Sequence, residues 1–352
     1  STPEAGTHGA SAEALASASV HEPAPAAAPE SARPPAPSGH AARLAALAIV
    51  ALACCAAFMT LGANGQWSFV IPFRGGKLLA MLLVAYCVAV SSVLFQTITH
   101  NRILTPAIMG FDALYVLIQA LVVFGFGLSA TATNDPVWKF LLEVGVMTGF
   151  ACLLFRWLFT DAVRSLHLMM LVGIIFGLLF RSLSSFVVRL IDPNEFLVLQ
   201  DRLFANFNSV RTELLPIALA AVAAATLLVW RMRRRYDVLA LGRGIALNLG
   251  VDYRRTLLLT LAAIAVLVSV STALVGPVTF FGLLVSNLAY QAMRSDRHRH
   301  TVPAAVLLSV IFLVGGQTLL ERVLQLSTTV SVVIEFVGGV MFLALILRRG
   351  RQ

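Results

Sequence analysis

From Ala41 onward the chain is a succession of apolar runs of about 17 to 25 residues, separated by short polar or basic segments. A run of that length, rising ~1.5 Å per residue, crosses a ~30 Å hydrocarbon layer as a helix. The pattern predicts an all-α polytopic membrane protein. Composition agrees: hydrophobic residues make up 59% of the chain and charged residues 12%, proportions that a soluble domain rarely shows. The formal charge of +9 does not point to nucleic acid, because the Lys and Arg residues fall between apolar runs rather than on a soluble face. They set orientation in a lipid bilayer instead. Cys54, Cys55, Cys87 and Cys152 all lie inside apolar runs, where Cys behaves as a small hydrophobe, and none has metal-ligand spacing.

Ten spans are predicted, near residues 42–63, 75–98, 106–128, 137–159, 165–188, 212–231, 254–275, 277–293, 302–320 and 328–347. An even number places both termini on one side. The basic segments RMRRRYDVLALGRG, RSDRHRH and RRGR then share one face, cytoplasmic by the positive-inside bias. Across the membrane, Arg189 to Glu213 forms a long loop whose Pro, Asn and Asp residues suit a short surface helix or turn. Residues 1–40, rich in Ala, Pro, Ser and Glu, are expected to be a disordered cytoplasmic tail, leaving 41–352 as the membrane domain. Neither a basic start nor an apolar core precedes Ala41, so a cleaved secretory signal is not expected there.

Several segments depart from plain hydropathy. In VGPVTFFGLLVSNLAYQAMRSDRHRH, Gly276-Pro277 is expected to turn the chain and open the eighth span. Ser286 and Asn287 follow about ten residues in, where they must bond to other helices or line an aqueous path. His298 and His300 sit beside Arg297 and Arg299, whose charge disfavours a bound cation, so no metal is expected. Asp112, Glu143 and Glu335 fall in or near spans, where ionisable groups signal function. Glu335 either lines a substrate path or bonds to a neighbouring helix. In a proton-coupled secondary transporter these acids would drive the cycle, and that is the competing class. Residues 236–253, YDVLALGRGIALNLGVDY, are amphipathic but too short of apolar residues to span, with Gly242, Gly244 and Gly250 permitting turns. This segment lies on the membrane surface or docks on a partner.

The stretches ALNLGVDYRRT, VGPVTFFGLLVSNLA and PAAVLLSVIFLVGGQTLLERV, followed by VSVVIEFVGGVMFLALIL, resemble the FecCD-type permeases of binding-protein-dependent ABC importers for ferric siderophores, haem and cobalamin. So does Lys77 to Tyr115, where Gln96, Asn101, Pro106 and Gly110 occupy positions typical of that family. The wording QTITHNRILTPAIMGFD is most similar to the branch associated with catecholate siderophores. Where the family generally has Pro-His, this chain has Ser286-Asn287.

The resemblance implies a type II importer permease in a bacterial inner membrane, paired with a second permease, more often a different one. It implies that Gly244, Ala246, Leu249 and Gly250 belong to a coupling segment docked on cytoplasmic ATP-binding subunits. Asn101 and Ile103 match the cytoplasmic gate, for which a capping Asn beside a buried Ile is the structural alternative. Arg74, Lys77 and Arg322 match positions that receive acidic residues of an external binding protein, and headgroup anchoring is the alternative there. No GxxxxGK[ST] phosphate loop occurs in the sequence. The chain is therefore expected to be a transport subunit without enzymatic activity or a bound cofactor, ATP being used by the partner subunit.

Overall fold

The computed structural model describes residues 38–62, 67–133, 135–158, 166–203, 205–208, 210–323 and 330–349. The expected disordered tail lies, up to residue 37, outside them. The order of elements is α1 (Ser38–Thr60), α2 (Trp67–Thr99), a 3-10 turn (Pro106–Met109), α3 (Phe111–Thr133), α4 (Pro136–Leu158), α5 (Leu166–Val188) and α6 (Pro193–Arg202). A second 3-10 turn (Thr212–Leu214) leads into α7 (Leu215–Leu239), α8 (Arg243–Asn248), α9 (Tyr253–Val275), α10 (Phe281–Met293), α11 (His298–Val310), α12 (Gly316–Thr318) and α13 (Val330–Arg349). A π-helical turn, Ile311–Gly315, joins α11 to α12, and a second, Leu319–Val323, continues beyond α12.

Seven of the described helical stretches are long and apolar enough to cross a membrane, and Phe111–Gly127 is a shorter apolar one. The helices sort by burial. In α2 and α9 72% of the most apolar window is buried, against 11% in α1, so the first two form the core and the last faces lipid. α9 packs on α2, α4 and α7, while α3 packs on α5. Two buried hydroxyls of α9 bond back to their own backbone: Thr260 Oγ1 donates to the Thr256 carbonyl at 2.7 Å and Ser271 Oγ to that of Val268 at 2.9 Å. Such bonds let polar side chains sit at depth without an unsatisfied group.

Several expected span bounds are corrected: the helix of the second span begins at Trp67 and not at 75, and that of the sixth ends at Leu239 and not at 231. The third span begins at Phe111 and not at residue 106, because Pro106–Met109 is a 3-10 turn closed by Gly110 at φ +84°. Glycine is required there twice over: the left-handed backbone excludes most side chains, and a Cβ would stand 2.9 Å from the Gly177 Cα on α5. The eighth span begins at Phe281 and not at 277, so Pro277 lies outside the helix's first turn. With 13 residues, α10 is ~20 Å long and falls short of the hydrocarbon thickness. Residues 276–280 cover the remainder as irregular chain. As the loop composition suggested, 193–202 is a short helix, with Asp192 as N-cap accepting from the Asn194 N–H and Pro193 at the first position.

Candidate functional site

The singled-out residues other than Glu143 collect in four places, two on the face that carries α8, one on the opposite face and one between them. On the opposite face α1 ends at Leu61 and Gly62, leaving last-turn carbonyls that need donors. The Arg74 guanidinium on α2 supplies them, donating to the carbonyls of Phe58 at 3.3 Å, Met59 at 3.2 Å, Leu61 at 2.8 Å and Gly62 at 2.9 Å. Its residue is 7% exposed. The expectation of a free surface cation is therefore corrected: Arg74 is the cap of α1. Lys77 donates to Glu321 and to Asn208, and Glu321 also accepts from Gln317. Arg322 is exposed, and its Nη1 would lie 3.6 Å from a Cβ on Gly62. The three basic residues thus cluster around Glu321 and the α1 terminus, with Arg322 as the solvent-facing cation. Glu321 was not foreseen; its place four residues from Gln317 on a π-helical turn carries no signal in one sequence.

On the α8 face the turn after α2 is locked from above. Asn101 Oδ1 accepts the Ile103 N–H at 3.0 Å, an Asx-type turn, and His100 before it adopts φ +49°. Gln96 Nε2 donates to the Arg102 carbonyl at 2.9 Å and to Ser286 Oγ at 2.8 Å. Asn287 Nδ2 donates to that same carbonyl at 2.9 Å and to the Leu283 carbonyl at 2.9 Å. The Arg102 side chain lies over the Tyr290 ring at 4.5 Å and pairs with Asp296. Of the two roles open to Ser286 and Asn287, the structure shows interhelical bonding: they are 0% and 6% exposed, sealed between α2 and α10 within the chain. Asn101 and Ile103 are half-buried beneath them.

Between the two faces, the irregular 276–280 segment is held by Thr279, whose Oγ1 donates to Asp112 Oδ2 at 2.9 Å. Glu335 on α13 is half-buried and within hydrogen-bonding reach of the Thr279 backbone. A cavity of about 30 Å³ adjoins them, lined among others by Ser91, Ser92, Thr105, Asp112 and Ser271. It is lined in part by hydroxyls and a carboxylate and is large enough for water, which is where irregular backbone at membrane depth is tolerated. Glu143 belongs elsewhere, between α3 and α4. Its Oε1 accepts from Gln119 Nε2 at 2.8 Å and lies 3.6 Å from Lys139 Nζ.

α8 stands at the membrane surface as six residues between Gly242 at φ +98° and Gly250 at φ +74°. Gly244 lies inside this helix and not at a turn, correcting the expectation. Ala246 is fully buried, while Ile245, Leu247 and Leu249 are 50%, 50% and 59% exposed. Gly244 and Gly250 are exposed as well, and a Cβ on either would meet nothing within 4 Å. Asp252 then caps α9, accepting the Arg255 N–H at 3.0 Å. The segment offers an apolar, rigidly based knob too small to span lipid. His298 is the remaining singled-out group on this face. Its Nδ1 lies 2.7 Å from Asp237 Oδ1 and its Nε2 2.7 Å from Thr97 Oγ1, so both ring nitrogens are occupied within the protein. His300 stacks on His40 with ring centroids 4.9 Å apart.

Comparison with known proteins gives this geometry its context. The petrobactin import system permease protein YclO of Bacillus subtilis is 43% identical over 310 residues, spanning 88% of this chain and 98% of that protein. The petrobactin import system permease protein FatC of Bacillus anthracis is 38% identical, spanning 80% and 79%. The ferric enterobactin transport system permease protein FepD of Escherichia coli is 25% identical, spanning 82% and 84%. Among solved structures, a metal-chelate type ABC transporter in an inward-facing conformation superposes with a TM-score of 0.76 at 19% identity, covering 88% of this chain and 99% of that one, and shares its fold. The model of the FecCD transport family matches residues 42–348, and the chain belongs to that family.

Proposed function

We propose that this chain is the permease subunit of an ABC importer that moves a ferric siderophore, of catecholate type, across the inner membrane of a bacterium. The observation that carries the reading is α8: an exposed apolar knob on a buried Ala246 base, at the membrane surface of a chain that belongs to a transport family. The relatives named above for petrobactin and enterobactin support the chelate class. The α8 face is cytoplasmic because Arg231, Arg233, Arg234, Arg235, Arg254, Arg255, Arg294, Arg297 and Arg299 gather there. Both termini then lie in the cytoplasm.

In this reading Gly244, Ala246, Leu249 and Gly250 form the seat for a separate ATP-binding subunit. Asn101 and Ile103 narrow the cytoplasmic end of a path shared with a second, non-identical permease. Arg322, backed by Lys77 and Glu321, meets an external binding protein. Glu335 faces the path. ATP binding and release at the partner shift the population between outward-open and inward-open states. Nothing resident is needed on this chain beyond its own side chains. The acids do not form one proton route here: Asp112 and Glu335 meet at Thr279, while Glu143 pairs with Lys139 and accepts a hydrogen bond from Gln119.

The test is uptake of radiolabelled ferric chelates by a strain lacking this permease and by the complemented strain. A catecholate chelate should be restored by complementation and a hydroxamate chelate should not. Restoration of haem or cobalamin uptake alone would replace the substrate class.

A further inference from the structure

The proposed function leaves open how a movement at α8 reaches the turn at 100–105, and the hydrogen bonds around His298 mark a route. Asp237 lies in the last turn of α7, five residues before Gly242, where the chain swings at φ +98° into α8. Its Oδ1 accepts from His298 Nδ1–H at 2.7 Å and from the His298 backbone N–H at 3.1 Å. Two donors from one residue fix the first turn of α11 to the base of α8. The other ring nitrogen, Nε2, stands 2.7 Å from Thr97 Oγ1. That hydroxyl also faces the Val93 carbonyl at 2.8 Å, and its one hydrogen serves one acceptor at a time.

Thr97 is adjacent to Gln96, the residue that holds the Arg102 carbonyl together with Asn287. His298 is 8% exposed, and the Tyr236 ring, 2% exposed, packs against it with centroids 5.8 Å apart. A polar contact in a buried place is geometrically selective in a way that apolar packing is not, since it is made or lost over a small shift. The element at its far end opens on His100, whose left-handed backbone stops α2 and is uncommon for a non-glycine residue.

We propose that His298 is a positioning residue which, through Asp237 and Thr97, transmits displacement of the α7–α8 base to the Asn101–Ile103 turn. The proposal rests on the importer reading, with α8 seated on the ATP-binding subunit. Its two ends are the swing at Gly242 and the turn that Gln96 anchors. The Arg235 Nη1 contact to Thr256 Oγ1, at 3.5 Å, ties α7 to α9 and bypasses the turn.

The experiment uses the complete importer in liposomes and reads ferric chelate imported per ATP hydrolysed. In Thr97→Val, which removes the hydroxyl at nearly constant shape, and in His298→Gln, that ratio should fall at least about fivefold while the ATPase rate stays within about twofold of the parent. Thr97→Ser, which restores the hydroxyl, should recover the ratio. The double variant Thr97→Val/His298→Gln should lose no more than the worse single one. Should His298→Gln fail to assemble, the Val and Ser variants at 97 decide between them. An unchanged ratio in Thr97→Val overturns the proposal, as does a loss that Ser does not recover or that follows a lowered melting temperature. Failure of the unmodified assembly to couple ATP to import would instead overturn the importer reading.

Discussion

Arg74 and Arg322 separate two roles that the charge pattern alone merged. Truncating Arg74→Ala removes four donor contacts of 2.8 to 3.3 Å from the end of α1. A hydrogen bond with one charged partner contributes about 1.5–3 kcal/mol, and a cation at a helix C-terminus about 0.3–1 kcal/mol more. The freed carbonyls lie at a helix end on the membrane surface and regain water, so about one such bond is lost in full. The sum is roughly 2–4 kcal/mol, which at about 1–2 °C per kcal/mol for a chain of this length lowers the melting temperature by about 2–8 °C. Arg74→Lys should recover part of this, because an ammonium lacks the planar fork that spans several carbonyls. Arg322→Glu, at an exposed position, should shift the melting temperature by no more than about 1 °C, since surface substitutions lie mostly within about 0.5 kcal/mol. It should instead slow association with the binding protein at low salt. Thermal unfolding in detergent and association kinetics on immobilised permease measure both. An Arg74→Ala protein that melts within 1 °C of the parent would refute the capping argument.

Two further outcomes are expected. Replacing Gln96 and Asn287 together with Leu strips both side-chain donors from the Arg102 carbonyl, at a cost of about 1–3 kcal/mol, and should raise the alkylation rate of an Ile103→Cys reporter; either single change should raise it less. Leu249→Asp, at a residue 59% exposed, should leave the melting temperature nearly unchanged and abolish co-purification of the ATP-binding subunits.

Much of the architecture was legible in the apolar runs: α1, α4, α5 and α9 fall within a few residues of their predicted spans. Legibility failed where tertiary contacts override local preference. Gly276-Pro277 reads as a helix start, yet Thr279 bonding to Asp112 holds the chain irregular as far as Phe281. Pro106 reads the same way, but Gly110 must take a left-handed backbone to approach Gly177. At the site, Asn101, Ser286 and Asn287 were visible as polar residues out of place. The Arg102 carbonyl, which accepts from both Gln96 and Asn287, leaves no trace in a side-chain pattern. For the same reason Arg74 read as a surface charge: nothing in the sequence says that the end of α1 lies within its reach. His298 was weighed as a metal ligand because Asp237 and Thr97, its actual partners, are 61 and 201 residues away.

In the proposed function this chain conducts the chelate and the ATP-binding subunits power its transport. The most direct test of that division is ferric chelate uptake into proteoliposomes holding the two permeases, with and without the ATP-binding subunits, in the presence of the binding protein. Uptake should require the ATP-binding subunits and hydrolysable ATP, and an imposed proton gradient should not replace them. Uptake driven by a proton gradient in liposomes containing this chain alone would contradict the account.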